Sequence, residues 1–189
     1  MSSHRMLEKY ILKDQNIENK VIVEIGTTRE IYSGQDSTKF FYELSIQKKF
    51  SFTTVDMDQE NIDSVKKRFD KIHAIAMKGE DYIKNYVGTI DYIYLDAFDF
   101  EHNNHSEKRK QKYKSILNCE INNELCHRMH LECCENLLDK MVTGGLILID
   151  DVLNSKFDGK GKTAIPFLLE NNFEILELGN NGCLLRKSD

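Results

Sequence analysis

"GGLILIDDVLN", residues 144–154, opens on a glycine pair and runs through four apolar residues into two adjacent carboxylates, Asp150 and Asp151, before Val152, Leu153 and Asn154. A short apolar run bounded by turn residues suits a strand covered on both faces, the situation of a parallel sheet. The two carboxylates repel each other unless something positive stands near them. They could cap a helix or face solvent in a turn. They could also belong to a metal site, and what the neighbouring strands end in decides between these readings.

Four similar runs precede it: "VIVEI" (21–25), "SFTTV" (51–55), "HAIAM" (73–77) and "IDYIYL" (90–95), with "GLILI" (145–149) as the fifth. Helical patterns alternate with them over 4–14, 37–48, 59–70, 80–86, 107–117, 120–141 and 162–171. Strands alternating with helices predict a parallel sheet with crossover helices on both faces. The tail breaks the alternation. "FEILEL" (173–178), "GNNG" and "CLLRK" (183–187) predict two strands joined by a tight turn of residues that tolerate positive φ. The expected fold is therefore α/β, a Rossmann-like, seven-stranded, mostly parallel sheet ending in an antiparallel hairpin. We expect one domain over 1–189: an N-terminal helix in 1–20, a cofactor-binding core over 21–150, and a substrate-side loop, helix and hairpin over 151–189.

Composition narrows the function. Forty per cent hydrophobic and 30% charged residues are ordinary for a soluble globular protein. A net charge of −5 argues against a nucleic-acid partner, because phosphate binding favours a basic surface. The basic stretch "EKRKQKYK" (107–114) reads as a solvated helix face. No apolar run approaches the ~20 residues that span a bilayer, and "MSSHRMLEKY" lacks the apolar centre of a signal peptide. Five cysteines, an odd number clustered mainly on one expected helix, do not form a disulfide framework, so a reducing cytoplasm is expected. Nothing in the sequence fixes the oligomeric state, and a homodimer is left open.

In open α/β sheets ligands bind beyond the carboxyl ends of the strands. Strand one ends "VEIGTTRE", where Gly26 permits close backbone approach and Glu24 can accept a hydrogen bond from an amine. Strand two ends "TTVDMDQEN", placing Asp56 to take both hydroxyls of a ribose. Strand three ends "MKGEDYI", with Gly79, Glu80 and Asp81 where an adenine edge would lie. The glycine-rich dinucleotide fingerprint is absent, since "GTTREI" has no second or third glycine. A cofactor with ribose and adenine but no pyrophosphate fits better.

"VIVEIG", Asp56, "GED", "IDYIYLDA" and the terminal hairpin together resemble the class I S-adenosylmethionine-dependent methyltransferases, from about residue 20 to the C-terminus. The resemblance implies that Glu24, Gly26 and Thr27 lie at the methionine end of the cofactor. Asp56 would hold its ribose, Met57 would pack on adenine, and Glu80 or Asp81 would approach the adenine amino group. Thr28 replaces the family's second glycine and the loop 27–36 is extended, so Ser37 and Thr38 are expected to supply carboxylate contacts.

Strand four ends "YLDAFDFEHNNH", with Asp96 at its tip beside Asp150 and Asp151. Three converging carboxylates call for a divalent cation, and all-oxygen ligands suit Mg²⁺ or Mn²⁺. This pattern resembles metal-dependent small-molecule O-methyltransferases of the catechol and macrolide-sugar types, with Asp96, Asp150 and Asp151 as metal ligands and Asp96 also beside the cofactor. Such a cation would lower the pKa of an acceptor hydroxyl and orient it. Catechol-type enzymes carry a lysine three positions after the strand-four aspartate. Asp99 stands there, so that role does not transfer. Asp99, His102 and His105 are the catalytic candidates of this loop, with His102 first as general base.

"CEINNELCHRMHLECC" (119–134) places Cys126, His130 and Cys133 or Cys134 on one helix face. Zinc is conceivable, but helix core is the stronger reading because the short paired spacings of zinc sites are missing. "FDGKGKTAIPF" (157–167) lacks phosphate-loop spacing and reads as a mobile segment beside the substrate, with Lys162 as a candidate grip on an anion. The expected activity is methylation of a hydroxyl on a polar small molecule, such as a sugar, nucleotide-sugar or secondary metabolite. The alternatives are a metal-independent N- or carboxyl-methyltransferase and a non-catalytic binding protein of the same fold.

Overall fold

The computed structural model describes residues 2–102 and 105–189. In chain order the elements are α1 (Arg5–Lys13), β1 (Val21–Ile25), α2 (Ser37–Lys48), β2 (Ser51–Asp56), α3 (Gln59–Arg68), β3 (His73–Ala76), α4 (Gly79–Asn85) and β4 (Ile90–Leu95). They continue with α5 (Glu107–Leu117), α6 (Asn123–Leu137), β5 (Met141–Asp150), α7 (Ala164–Glu170), β6 (Phe173–Gly179) and β7 (Gly182–Lys187). The seven strands form one sheet in the order β3-β2-β1-β4-β5-β7-β6, parallel except for β7, which runs antiparallel to both β5 and β6. The fold expected from the alternation of strands and helices is the one observed.

Alternate residues of each central strand feed different layers. Val23, Ile25, Ile93, Leu95, Ile147 and Ile149 pack beneath α4, α6 and α7. Ile22, Tyr92, Tyr94, Leu146 and Leu148 pack beneath α1, α2 and α3. Helix α5 belongs to neither layer, and Tyr113 is its one buried residue. The hairpin turns at Asn180 and Asn181, with φ of 51° and 57°. Two consecutive positive φ values match the right-handed twist of the flanking strands.

Boundaries differ from expectation where caps and glycines intervene. The helix expected over 120–141 is shorter, because the Asn122 side chain accepts a hydrogen bond from Leu125 N at 2.8 Å and starts α6 there. Strand β5 begins at Met141, four residues earlier than its apolar run suggests. The register against β4 shifts between the pairs Ile90–Met141 and Tyr92–Leu146, with Gly144 at a φ of 79° inside the shift.

Strand order reverses at β1, which lies between β2 and β4. Ligand crevices in such sheets open at this reversal. Leu95 pairs with Ile149, so Asp96 and Asp150 leave the sheet side by side.

Candidate active site

A cavity of about 550 Å³ opens at the carboxyl ends of β1, β2 and β4, lined among others by Gly26, Thr27, Asp56, Met57, Glu80 and Asp96. Gly26 adopts a φ of 102°, and a Cβ there would stand 2.5 Å from the carbonyl carbon and oxygen of Asp96. Only glycine suits both conditions. Glu24 is fully buried. It accepts from Ser37 Oγ at 2.6 Å, Thr38 Oγ1 at 2.7 Å and Thr54 Oγ1 at 2.6 Å. Burial pushes its carboxyl up to about 7 against the opposing pull of those three hydroxyls. Glu24 and Ser37 thus tie the first loop to the sheet beneath the cavity, and neither is among the lining residues.

On the β2 side, Asp56 accepts from Asp58 N at 2.8 Å and from Asn61 Nδ2 at 3.2 Å. Burial raises its pKa despite these donors and the Arg29 charge. Of the two acidic candidates after β3, Glu80 lines the cavity and Asp81 is exposed on α4 away from it. Burial likewise raises the Glu80 pKa.

The far wall was not anticipated. Arg29 from the first loop donates to both Asp99 oxygens, at 3.1 and 2.8 Å, and the Tyr113 hydroxyl accepts from Asp99 N at 2.6 Å. Arg109 reaches Glu30 at 3.1 Å and Asp99 at 3.6 Å, while Lys112 pairs with Asp58 and with Glu60. Helix α5 is therefore laid across the cleft on ion pairs. Asp99, one of the catalytic candidates of this loop, stands in that ion pair and is not among the residues lining the cavity. Burial opposes its ionisation, but Arg29, with the Arg109 and Lys160 charges beyond it, holds its carboxyl well below the ordinary carboxylate range. It is a committed ion-pair partner.

His102 is exposed and His105 buried, their rings 4.1 Å apart in the loop after β4. His105 Nε2 lies 3.0 Å from Phe100 O. Neither imidazole lines the cavity.

One ligand atom each from Asp96, Asp150 and Asp151 lies within 4.8 Å of the other two, the convergence expected from the strand tips. A cation from the chain already stands among them. Lys160 is 2% exposed, and its Nζ lies 2.5 Å from Asp96 Oδ1 and 3.0 Å from Asp151 Oδ2. Asp150 accepts a hydrogen bond from Ser3 Oγ, and its pKa is raised by burial first and the Asp96 charge second. The other Asp96 oxygen accepts from the Tyr94 hydroxyl at 3.3 Å. The donor set and spacing suit a hard divalent ion, but the ammonium pairs with two of the three would-be ligands, so the trio as arranged is not free to hold one.

Lys160 is the buried cation of the site that sequence reasoning missed. Its signal was the glycine on either side. A Cβ on Gly159 would stand 1.9 Å from Asp151 O, and one on Gly161 would stand 2.4 Å from Ile165 Cδ1. The chain is closely packed at 159–161, within the stretch read as a mobile segment beside the substrate. Lys162 is exposed and paired with Asp158 at 2.5 Å. Cys126, Cys133 and Cys134 are buried in α6. His130 Nδ1 bonds Cys126 O at 2.8 Å, and among the described residues only the aspartate trio forms a metal-like cluster. No helix among the described residues is long and apolar enough to cross a membrane.

No protein-family model matches the chain. No curated protein matches it either. Solved structures do. The S-adenosylhomocysteine-bound methyltransferase PaMTH1 of Podospora anserina superposes with a TM-score of 0.59 at 22% identity, covering 100% of this chain and 80% of that one. An rRNA methylase from Streptococcus thermophilus gives 0.56 at 13% identity over 100% and 98% of the two chains. The N-methyltransferase NodS of Bradyrhizobium japonicum gives 0.53 at 14% identity over 98% and 94%. The fold is that of the class I methyltransferases.

Proposed function

We propose that this chain, a class I methyltransferase by fold, transfers a methyl group from S-adenosylmethionine to a polar small molecule. The single observation carrying this reading is the 550 Å³ cavity at the strand-order reversal, walled by Gly26, Asp56, Met57, Glu80 and Asp96. Its size lies within the usual range for cofactor sites, roughly 300–1,000 Å³. The glycine turn lets backbone approach the ligand, and the Asp56 carboxylate suits a ribose diol. Met57 offers an apolar face and Glu80 an acceptor for an adenine amino group.

When bound, the cofactor supplies an electrophilic methyl on a sulfonium. The protein's remaining task is to hold the acceptor atom in line with that methyl. Asp96 is the ionisable group of the β4 tip that reaches the cavity, so it is assigned to accept a hydrogen bond from the acceptor and draw its proton. No step is assigned to His102 or His105, which stand outside the cavity wall. O-methylation of a sugar-like or secondary metabolite fits the polar rim, and an N- or carboxyl acceptor would use the same placement. A divalent ion assisting the reaction would draw on Asp96, Asp150 and Asp151 and would have to displace the Lys160 ammonium from two of them, so no step is assigned to one.

A nucleic-acid acceptor is the second reading, favoured by the description of the Streptococcus neighbour as an rRNA methylase. Against it, Arg109, Lys110, Lys112 and Lys114 of the basic helix are each paired with a carboxylate, which leaves little of their charge for phosphates.

Calorimetry with S-adenosylmethionine and S-adenosylhomocysteine tests the cofactor assignment, with thermal stabilisation as an independent readout. Absence of both overturns it. A panel of hydroxyl, amine, carboxyl and RNA acceptors, read by S-adenosylhomocysteine release, then tests the acceptor class.

A further inference from the structure

We infer that the acidic tips of β4 and β5 take their counter-cation from the chain itself. The Lys160 ammonium pairs with Asp96 and Asp151, two of the three carboxylates a divalent ion would need, and acts as a positioning residue for Asp96. Three observations carry this. The Nζ lies 2.5 Å from Asp96 Oδ1, 3.4 Å from Asp96 O and 3.0 Å from Asp151 Oδ2, so one ammonium binds both strand tips. Its side chain is 3% exposed. Its backbone is fastened to the same strand tip: Lys160 N donates to Asp151 O at 3.1 Å, and Val152 and Gly159 form an isolated bridge.

An ammonium on a flexible stem could swing aside for an ion. This one is less free, because Gly159 holds the chain against Asp151 O and His127 Nε2 lies 3.0 Å from Gly159 O. The consequence for Asp96 is geometric. Lys160 holds one carboxylate oxygen and the Tyr94 hydroxyl the other, so the side chain that faces the cavity is fixed from both sides before any ligand enters. Orientation set in advance costs nothing at the moment of reaction.

The positioning role rests on the function proposed above; the internal cation does not, so the test begins without cofactor. Metal-stripped wild-type protein, Lys160→Met and Lys160→Arg are titrated with Mn²⁺ and followed by the electron paramagnetic resonance of the free ion. The wild type is expected to leave the Mn²⁺ signal free. Lys160→Met is expected to gain a single site about a hundredfold tighter, since a buried acidic cluster without its partner recruits another cation. That site should vanish again in Lys160→Met/Asp151→Asn, and Lys160→Arg should behave as wild type. Stoichiometric Mn²⁺ binding by the wild type that is lost in Asp96→Asn overturns the inference. So does a folded Lys160→Met protein that binds no ion. Should Lys160→Met not fold, the wild-type titration decides alone. In turnover, Lys160→Met should lower kcat with KM for the cofactor little changed, and Lys160→Arg should restore most of it. Cofactor binding that fails in the wild type sinks the proposed function and leaves the Mn²⁺ result standing.

Discussion

The Lys160 ammonium and the Asp96 carboxylate meet at 2.5 Å at the tip of β4, 64 residues apart in sequence. The contact turns a repulsive cluster at two strand tips into a paired one. It also leaves Asp96 as the member of the trio that lines the cavity.

Replacing Asp96 by Asn should lower kcat by roughly 10²-fold or more, the usual cost of removing a positioned acid–base group. Cofactor affinity should change little. Steady-state kinetics alongside calorimetry checks this, and full turnover by Asp96→Asn removes the proposed chemistry.

Gly26→Ala should weaken S-adenosylhomocysteine binding severely and lower the melting temperature. The added methyl would meet backbone atoms of Asp96 and Ala97 at 2.5 to 2.7 Å, in a backbone conformation that L-residues avoid. A cost of about 2 kcal/mol or more is expected, since backbone cannot move aside as a flexible side chain can.

Glu24 gives the fold a pH dependence of definite sign. Its carboxyl ionises near 4.5 ordinarily and is pushed up to about 7 by burial in the folded protein. Between those values the folded state binds the extra proton, so stability is full below about pH 4.5 and declines as pH rises towards 7. The decline amounts to about 3 kcal/mol as an upper figure. Glu24→Gln should flatten that part of the curve in chemical denaturation measured pH by pH. An unchanged slope would assign the dependence elsewhere.

Arg29→Met strips the buried Asp99 carboxylate of its bidentate partner. A loss of roughly 1–3 kcal/mol in stability is expected, because a buried acceptor without its donor keeps its desolvation cost. Cofactor affinity should fall as the first loop loosens, and the double variant with Asp99→Asn should recover part of the stability. Additive losses would show that the pair is not coupled.

How much of this the sequence carried depends on whether a feature is local. The sheet was legible because buried parallel strands leave apolar runs, and Gly26, Asp56, Met57 and Glu80 follow directly from where those runs stop. The hairpin was legible because Asn180 and Asn181 tolerate positive φ. Contacts between distant segments were not. Glu24 reads as an amine acceptor in isolation, and its bonds to Ser37, Thr38 and Thr54, hydroxyls from two other elements, leave no local trace in sequence. Asp99 reads as a free carboxylate until Arg29 folds across the cleft to meet it. Lys160 follows β5 in a stretch with no helical or strand period, so only the close approach of its flanking glycines announces that it is buried.

The attachment of α5 has a further consequence. Arg109 to Glu30 and Lys112 to Glu60 are partly solvent-facing contacts; the same two cations also reach the buried Asp99 and Asp58, and Tyr113 is the one buried residue of the helix. Electrolyte weakens exposed pairs of this kind, with a Debye length of about 8 Å at physiological ionic strength and about 3 Å at 1 M. Raising potassium chloride should therefore accelerate dissociation of S-adenosylhomocysteine in stopped-flow measurements, while the sheet and its two apolar layers stay intact. The cover over the cleft and the floor beneath it would then answer to different solution variables, one to salt and the other to protons.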